Sequence, residues 1–304
     1  MLRRAAGLAA AAAGAAFAYG SLVERRRFTL REFDVPVLPA GSAPLRVLHL
    51  SDLHMAPWQR AKQEWIRSLA SLEPDLVVTT GDNLGHERGL EGVREALEPF
   101  RGLPGAFVWG SNDYFGPELK NPFLYFLGTS APPKRASRLD IEALELYFTE
   151  LGWTDLNNTA TTLELGGLTV DFVGVDDPHR RFDRLDRVSA AMDDLDEVRE
   201  RDADLKVAVA HAPYQRILDS FTRRGADLIL AGHTHGGQVC VPFYGALVTN
   251  CDIPRRQVKG LSRWAAGSRS SWLHVSAGLG TSIFAPVRFA CPPEATLLIL
   301  TARA

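Results

Sequence analysis

Five short apolar runs in this chain each stop at residues that bind hard or borderline metal ions. Residues 46–50 run into Ser51-Asp52-Leu53-His54, and residues 75–80 run into Gly81-Asp82-Asn83. Residues 106–109 run into Gly110-Ser111-Asn112-Asp113, residues 206–210 into His211, and residues 227–231 into Gly232-His233-Thr234-His235. Apolar runs of this length, bounded by Gly and polar residues, predict buried strands. Parallel strands read as continuous apolar runs because both faces are covered. In such sheets the ligand crevice lies beyond the carboxyl ends of the strands. The terminal residues are therefore expected to meet on one edge. Their carboxylates, amide and imidazoles suffice for two metal ions, which makes a metal-dependent hydrolase the leading reading.

Spacing sharpens that expectation. Asp52 and His54 are two residues apart, as are His233 and His235. In an extended segment, positions i and i+2 point to the same side, so each pair could grip one ion. Gly232, Gly236 and Gly237 would let the backbone turn sharply and approach closely. Asp82 has two oxygens and could bridge two ions. Imidazole with carboxylate suits Mn, Fe or Zn, and affinity order alone does not choose among them.

Between the runs the periodicity changes. Gln63 to Leu72 carries apolar residues at helical spacing and is stopped by Pro74, and Leu90 to Leu97 predicts a second helix. Strands alternating with helices imply an α/β fold with a parallel sheet and right-handed crossovers. Phe28 to Val37 alternates like an edge strand. Asn121 to Arg138 reads as a long active-site loop with the apolar cluster Phe123 to Leu127. Ile141 to Leu151 is helical, and Ser189 to Val198 is an acidic, solvent-facing helix. Thr161 to Leu165 and Leu168 to Val173 flank Gly166-Gly167 and predict a hairpin. Leu273 to Ser276 and Thr296 to Leu300 are further strands.

The chain has 304 residues, 46% hydrophobic and 23% charged, which is ordinary for a globular protein with a core. A formal net charge of -2 gives no case for nucleic acid. Cys240, Cys251 and Cys291 do not make a disulfide framework. Cys240 and Cys251 flank an expected hairpin and could pair in an exported protein, although free or buried thiols are the preferred reading. Residues 1–27 stand apart from the domain expected over 28–304. Arg3-Arg4 precede an Ala-rich apolar stretch, which Glu24-Arg25-Arg26-Arg27 closes. That pattern fits a membrane anchor or a signal segment, with Ala16-Phe17-Ala18 as a candidate cleavage site. The protein would be membrane-associated through one segment, or exported after cleavage. Arginines on both sides leave the orientation open, and the larger number after the segment favours a cytoplasmic domain.

The ordered motifs Asp52-Leu53-His54, Gly81-Asp82, Asn112, His211 and Gly232-His233-Thr234-His235 resemble those of the calcineurin-like metallophosphoesterase family. The resemblance covers roughly Leu45 to Leu300. It implies a four-layer α/β/β/α sandwich with a binuclear centre. One ion would take Asp52, His54, Asp82 and His235, and the other Asp82, Asn112, His211 and His233. The N-terminal segment, Gly236-Gly237-Gln238-Val239, Gly278-Leu279-Gly280-Thr281-Ser282 and Pro292-Pro293-Glu294 resemble a membrane-associated bacterial branch, related to UDP-diacylglucosamine pyrophosphohydrolases.

One motif departs from the family. Where the family has Gly-Asn-His, this chain has Gly110-Ser111-Asn112-Asp113. Asn112 is preferred over Ser111 as the ligand, because an amide oxygen suits a hard ion better. Asp113 then falls where the family places its catalytic His. Asp113, Asn112 and His211 are the candidate catalytic residues. An Asp with a pKa near ~3.9 is a poor proton donor at neutral pH, and His86 and His179 are possible substitutes. The expected activity is hydrolysis of a phosphoester or phosphoanhydride, on a phosphorylated small molecule or a lipid-linked substrate. The rival readings are a membrane-tethered binding or scaffolding protein with a weakened metal centre, and a protein phosphatase.

Overall fold

Two six-stranded sheets lie face to face, and helices cover both outer sides. The computed structural model describes residues 2–118, 136–198 and 201–303. The first sheet contains β1 (Thr29–Leu38), β2 (Leu45–Leu50), β3 (Leu76–Thr79), β4 (Gly105–Phe107), β5 (Trp153–Asp155) and β14 (Glu294–Ala302), in the order β1-β14-β2-β3-β4-β5. The second contains β6 (Thr159–Leu165), β7 (Leu168–Gly174), β8 (Leu205–Val209), β9 (Leu228–Ala231), β12 (Gly260–Ala266) and β13 (Arg269–Val275), in the order β12-β13-β9-β8-β7-β6. All five apolar runs are strands, but three belong to the first sheet and two to the second. The sheets are mixed: β14 runs antiparallel to β2, and β6-β7 and β12-β13 are antiparallel pairs.

Alternation along each strand divides the core into three layers. Val47, Val78 and Leu298 of the first sheet meet Phe172, Val207 and Leu230 of the second. On the outer face of the first sheet, Leu48, Leu50 and Phe107 pack with Ile66 of α2 (Arg60–Ser68), Val93 of α3 (Gly89–Leu97) and Phe148 of α5 (Ile141–Leu151). On the outer face of the second, Ala208, Ile229 and Leu273 pack with Val188 of α6 (Leu185–Glu197) and Phe221 of α7 (Gln215–Arg223). Fully burying one such Leu, Val or Phe is worth roughly 1.5–3 kcal/mol, so the three layers dominate the stability. This is the α/β/β/α sandwich.

Local signals act as expected. After α2 a 3-10 turn runs to Leu72, Glu73 turns left-handed at φ 48°, and Pro74 follows. Asp140 caps α5 by accepting from the Ala143 N–H at 3.0 Å. The hairpin around Gly166-Gly167 is present. The apolar cluster Phe123 to Leu127 lies outside the described residues. The short hairpin β10 (Cys240–Val241) with β11 (Gly245–Ala246) also forms, but Cys240, Cys251 and Cys291 are all free thiols.

The N-terminal segment is the helix α1 (Leu2–Leu22), and Ala6–Arg26 is long and apolar enough to cross a membrane by length and composition. Its end is not a separate tail. Gly20 O accepts from the Arg288 N–H at 3.3 Å, and buried Glu24 accepts from the N–H groups of Ala290 and Cys291 at 3.0 and 2.6 Å. The globular part therefore already includes Glu24, ahead of the division expected at residue 27.

Candidate metal centre

Asp52, His54, Asp82, His233 and His235 all have left-handed backbones, with φ of 49°, 39°, 55°, 67° and 50°. None of them lies in a strand; each sits in a turn just past β2, β3 or β9. The extended i, i+2 geometry expected for the two pairs is thus replaced by tight turns. Left-handed non-Gly residues cost of order 1–3 kcal/mol each and persist only when their surroundings hold them. Here backbone bonds do so: Asp52 N–H to Gly81 O at 2.9 Å, His54 N–H to Asp82 O at 2.9 Å, and Gly280 N–H to Asp52 O at 2.6 Å. Gly232 is required by close approach, because a Cβ there would overlap Ser51 Oγ and crowd Asp52 Oδ2.

The turns bring residues from both sheets together. Asp52, His54 and His235 form one group able to hold a metal ion, and Asp52, Asp82 and His211 form another. His54 Nε2 lies 3.2 Å from His235 Nε2, and His211 Nε2 lies 3.2 Å from His233 Nδ1. The outer nitrogens decide what faces inward. His235 Nδ1 meets Gly280 O at 3.1 Å, His211 Nδ1 meets Thr80 O at 2.7 Å, and His233 Nε2 meets Asn250 O at 3.1 Å. A carbonyl only accepts, so His211 Nδ1 donates to Thr80 O, and each ring held by its outer nitrogen turns the other nitrogen to the centre. Ring nitrogens this close need a proton or a cation between them. Asp52 Oδ1 is buried without a hydrogen-bond partner and lies 3.5 Å from His235 Nε2. A buried orphan carboxylate oxygen beside inward-facing imidazole nitrogens fits a divalent ion.

Asp52 belongs to both groups, and Asp82, a member of the second, also reaches toward the first, with Oδ2 3.5 Å from His54 Nε2 and Oδ1 3.5 Å from His211 Nε2. Asn112, in the short helix α4 (Ser111–Tyr114), donates its backbone N–H to Asp82 Oδ1 at 2.7 Å and its side-chain amide to Oδ2 at 2.6 Å. Ser111 turns away and donates to Asp177. Asn112 is therefore the residue of the pair that reaches the centre.

Asp113 has a different setting from the one its register suggested. It is fully buried and accepts from the backbone N–H groups of Asp82, Asn83, Leu84 and Gly110 at 2.9, 2.7, 3.2 and 3.0 Å. Both its oxygens are occupied in holding the Asp82 turn against the Gly110 turn. This setting gives Asp113 a positioning part, while burial and the neighbouring Asp82 push its carboxyl up to about 7. Of the two substitutes, His86 stacks edge-on against Trp58, whereas His179 lies 4.5 Å from the His233 ring between centroids.

Electrostatics follow from burial and crowding. Burial pushes the Asp52 carboxyl up to about 6, opposed by His211. Burial would raise Asp82 too, but His211 and His54 hold it well below the usual carboxylate range. Burial would lower His211, yet Asp82, Asp52 and Asp177 push it up to about 9. Burial lowers His54 to about 4 and holds His233 and His235 well below normal, so these imidazoles stay neutral, as metal ligation requires.

A chain of donors supports Asp52 from the space between the sheets. His49 Nδ1 meets His274 Nδ1 at 2.9 Å, and His49 Nε2 meets Thr80 Oγ1 at 3.0 Å. Thr80 Oγ1 donates to Ser51 Oγ at 2.7 Å, and Ser51 Oγ donates to Asp52 Oδ2 at 2.6 Å. Thr80 has spent its proton, so it accepts from His49, which in turn accepts from His274. Every proton points toward the carboxylate. Buried Arg288 adds a second support by donating to the carbonyls of Ala277, Gly278 and Gly280 at 2.8, 3.0 and 2.7 Å.

Residues 45–237 match the calcineurin-like phosphoesterase family. The chain belongs to that family. A calcineurin-like phosphoesterase is a phosphate-ester hydrolase, and the His/Asp cluster above suits its divalent metals. The chain is similar to the uncharacterized metallophosphoesterase YkuE of Bacillus subtilis, at 25% identity over 95% of this chain and 91% of that one. It is similar to the phosphodiesterase YaeI of Escherichia coli, at 25% identity over 95% and 94%. It is also similar to a transmembrane protein with a metallophosphoesterase domain from Bos taurus, at 27% identity over 88% of this chain and 56% of the relative. For this calcineurin-like phosphoesterase, motif reading found the cluster but not His49, His274, Thr80 and Arg288. A His inside an apolar strand, such as His274 in Trp272-Leu273-His274-Val275, is the signal that marks two of them.

Proposed function

We propose that the chain hydrolyses a phosphodiester or pyrophosphate bond at a binuclear centre, on a substrate presented at a membrane. One observation carries the binuclear reading: Asp82 lies 3.5 Å from an imidazole nitrogen of each group, with one carboxylate oxygen toward each. Asp52, His54, Asp82 and His235 would hold one ion, and Asp82, Asn112, His211 and His233 the other. When bound, such ions activate water and neutralise charge on the phosphoryl oxygens. The chain's own residues do the positioning. Asn112 orients Asp82 through two hydrogen bonds, Asp113 fixes the turn beneath it, and Ser51 and the His233 N–H fix Asp52.

With Asp113 committed to backbone groups, substrates whose leaving group needs no proton are favoured, such as a nucleotide phosphate or a phenol. A nucleotide-lipid pyrophosphate belongs to that class. The apolar helix α1 and the transmembrane relative support a membrane setting. The test is turnover of bis(p-nitrophenyl) phosphate by full-length protein, stripped with chelator and resupplied with Mn, Fe or Zn. Metal-dependent release of nitrophenol is expected and should vanish in His211→Ala. No turnover with any metal would favour the scaffold reading.

A further inference from the structure

A cavity of about 400 Å³ lies where the end of α1 meets the start of α2. Arg25, Arg26, Arg60 and Lys62 line it, and no carboxylate does among the described residues. Glu24, the nearest acid in the sequence, is turned the other way onto the N–H groups of Ala290 and Cys291. Lys62 is 6% exposed, and its ammonium donates to the Leu53 carbonyl at 2.5 Å. Three guanidinium groups and Lys62, whose pKa burial, Arg288 and Arg25 lower to about 7, line one cavity without a counter-charge, so an anion entering it is attracted.

Gln59 and Thr281 add polar groups, and most of the remaining wall is apolar. Phe28, Trp58, Ile283 and Pro286 contribute, and Trp58 is an exposed aromatic. Exposed aromatics continue around this side. Phe284 lies in the loop between Ile283 and Pro286, and Phe243 and Tyr244 form the tip of the β10-β11 hairpin. The hairpin is tied to the base of α1 through Phe289, which bonds the Cys240 N–H at 2.8 Å and meets the Tyr19 ring at 6.3 Å. The base of the apolar helix thus adjoins both the basic cavity and the hairpin that carries Phe243 and Tyr244. Apolar aromatics with basic groups beside an apolar helix suit a lipid-water boundary.

The cavity also backs onto the metal centre. Gly280 lines it, and the Gly280 carbonyl holds His235 Nδ1 while its N–H holds the Asp52 carbonyl. Leu53, which holds Lys62, lies between Asp52 and His54.

We propose that this cavity is a second anion site, which takes the phosphate group of an amphiphile at the membrane surface. Arg26, Arg60 and Lys62 bind the phosphate, and Trp58, Ile283 and Pro286 bind the first carbons of its chain. The amphiphile is either a membrane phospholipid or the lipid end of a substrate that carries a phosphate besides the one attacked, and both present the same group. The proposal rests on the membrane setting proposed above but not on the hydrolase reading.

The test titrates dihexanoyl phosphatidic acid into the full-length, metal-loaded protein in neutral detergent by calorimetry. Inorganic phosphate and dihexanoylglycerol serve as separate probes. Wild type should bind the phosphatidic acid more tightly than either probe. Arg26→Ala with Arg60→Ala should weaken it at least about tenfold, as expected for losing two charge-assisted bonds. Arg26→Lys with Arg60→Lys should restore most of the affinity, which separates lost charge from misfolding. Kinetics with bis(p-nitrophenyl) phosphate distinguish the sources. A raised KM in the presence of the amphiphile marks the end of a substrate reaching the metals, and an unchanged KM marks a bystander lipid. Absent turnover would sink the hydrolase reading but leave the titration intact. Equal affinity in wild type and the double alanine variant, or binding of inorganic phosphate as tight as that of the amphiphile, would overturn the proposal.

Discussion

His49 and His274 face each other Nδ1 to Nδ1 at 2.9 Å, joining β2 of one sheet to β13 of the other. Both rings are fully buried, and burial lowers His49 well below normal and His274 to about 3. The pair is therefore neutral when folded: the shared proton on His274 Nδ1 points to His49, and the separate proton on His49 Nε2 points to Thr80 and, through Ser51, toward Asp52.

That pair predicts acid sensitivity. An unfolded His titrates near ~6.5. Between that value and the lowered folded values, the unfolded chain binds more protons, so stability falls as pH falls. Each buried His should cost about 1 kcal/mol per pH unit in this window. Thermal unfolding of metal-free protein at pH 7.5 and 5.5 measures it. The variant His49→Leu with His274→Phe should lose less stability on acidification than wild type. Equal losses would show that other groups set the response.

Asp113 should act through the fold. Asp113→Ala leaves four buried backbone donors without an acceptor, and each such group costs roughly 1–3 kcal/mol. Tm and metal content should therefore drop together. Full metal content and unchanged Tm, with turnover lost only for poor leaving groups, would restore Asp113 as a proton donor.

We propose His179 as the donor for leaving groups that do need a proton, because its ring lies 4.5 Å from the His233 ring and its Nδ1 meets the Tyr214 hydroxyl at 3.0 Å. His179→Gln should slow an alkyl phosphodiester more than an aryl one, since a phenolate leaves unaided while an alkoxide needs a proton. The gap is expected at about 10²-fold, the low end for general acid catalysis. A uniform loss on both substrates would assign His179 to positioning of His233 instead.

The strands that carry the cluster were legible in the sequence because apolar runs, glycines and ligand types coincide at the strand ends, whereas those runs alone imply one parallel sheet and the two-sheet sandwich followed from the family resemblance. Ile141 to Leu151 and the Gly166-Gly167 hairpin emerged as expected, since each carries its own start and stop signals. Other features were not legible. The i, i+2 argument for Asp52 and His54 assumed extended backbone, whereas a left-handed residue following a strand has no mark in local composition. Asp113 matched a catalytic register, but its four backbone donors come mostly from a turn 29 to 31 residues away. Glu24 reads as the flank of an apolar segment, and only the fold brings it 267 residues along the chain to Cys291. Long-range partners of this kind leave no periodic trace.

Asp82 carries the binuclear reading, with one oxygen 3.5 Å from His54 Nε2 and the other 3.5 Å from His211 Nε2. Asp82→Asn keeps its shape and removes its charge, so two cations would have to share one neutral oxygen. The direct measurement is metal per chain, by mass spectrometry on protein loaded with excess Mn or Zn and then desalted. Wild type should hold two ions and Asp82→Asn one or none, with most turnover lost. Two ions retained with near-normal turnover would contradict a centre bridged by Asp82.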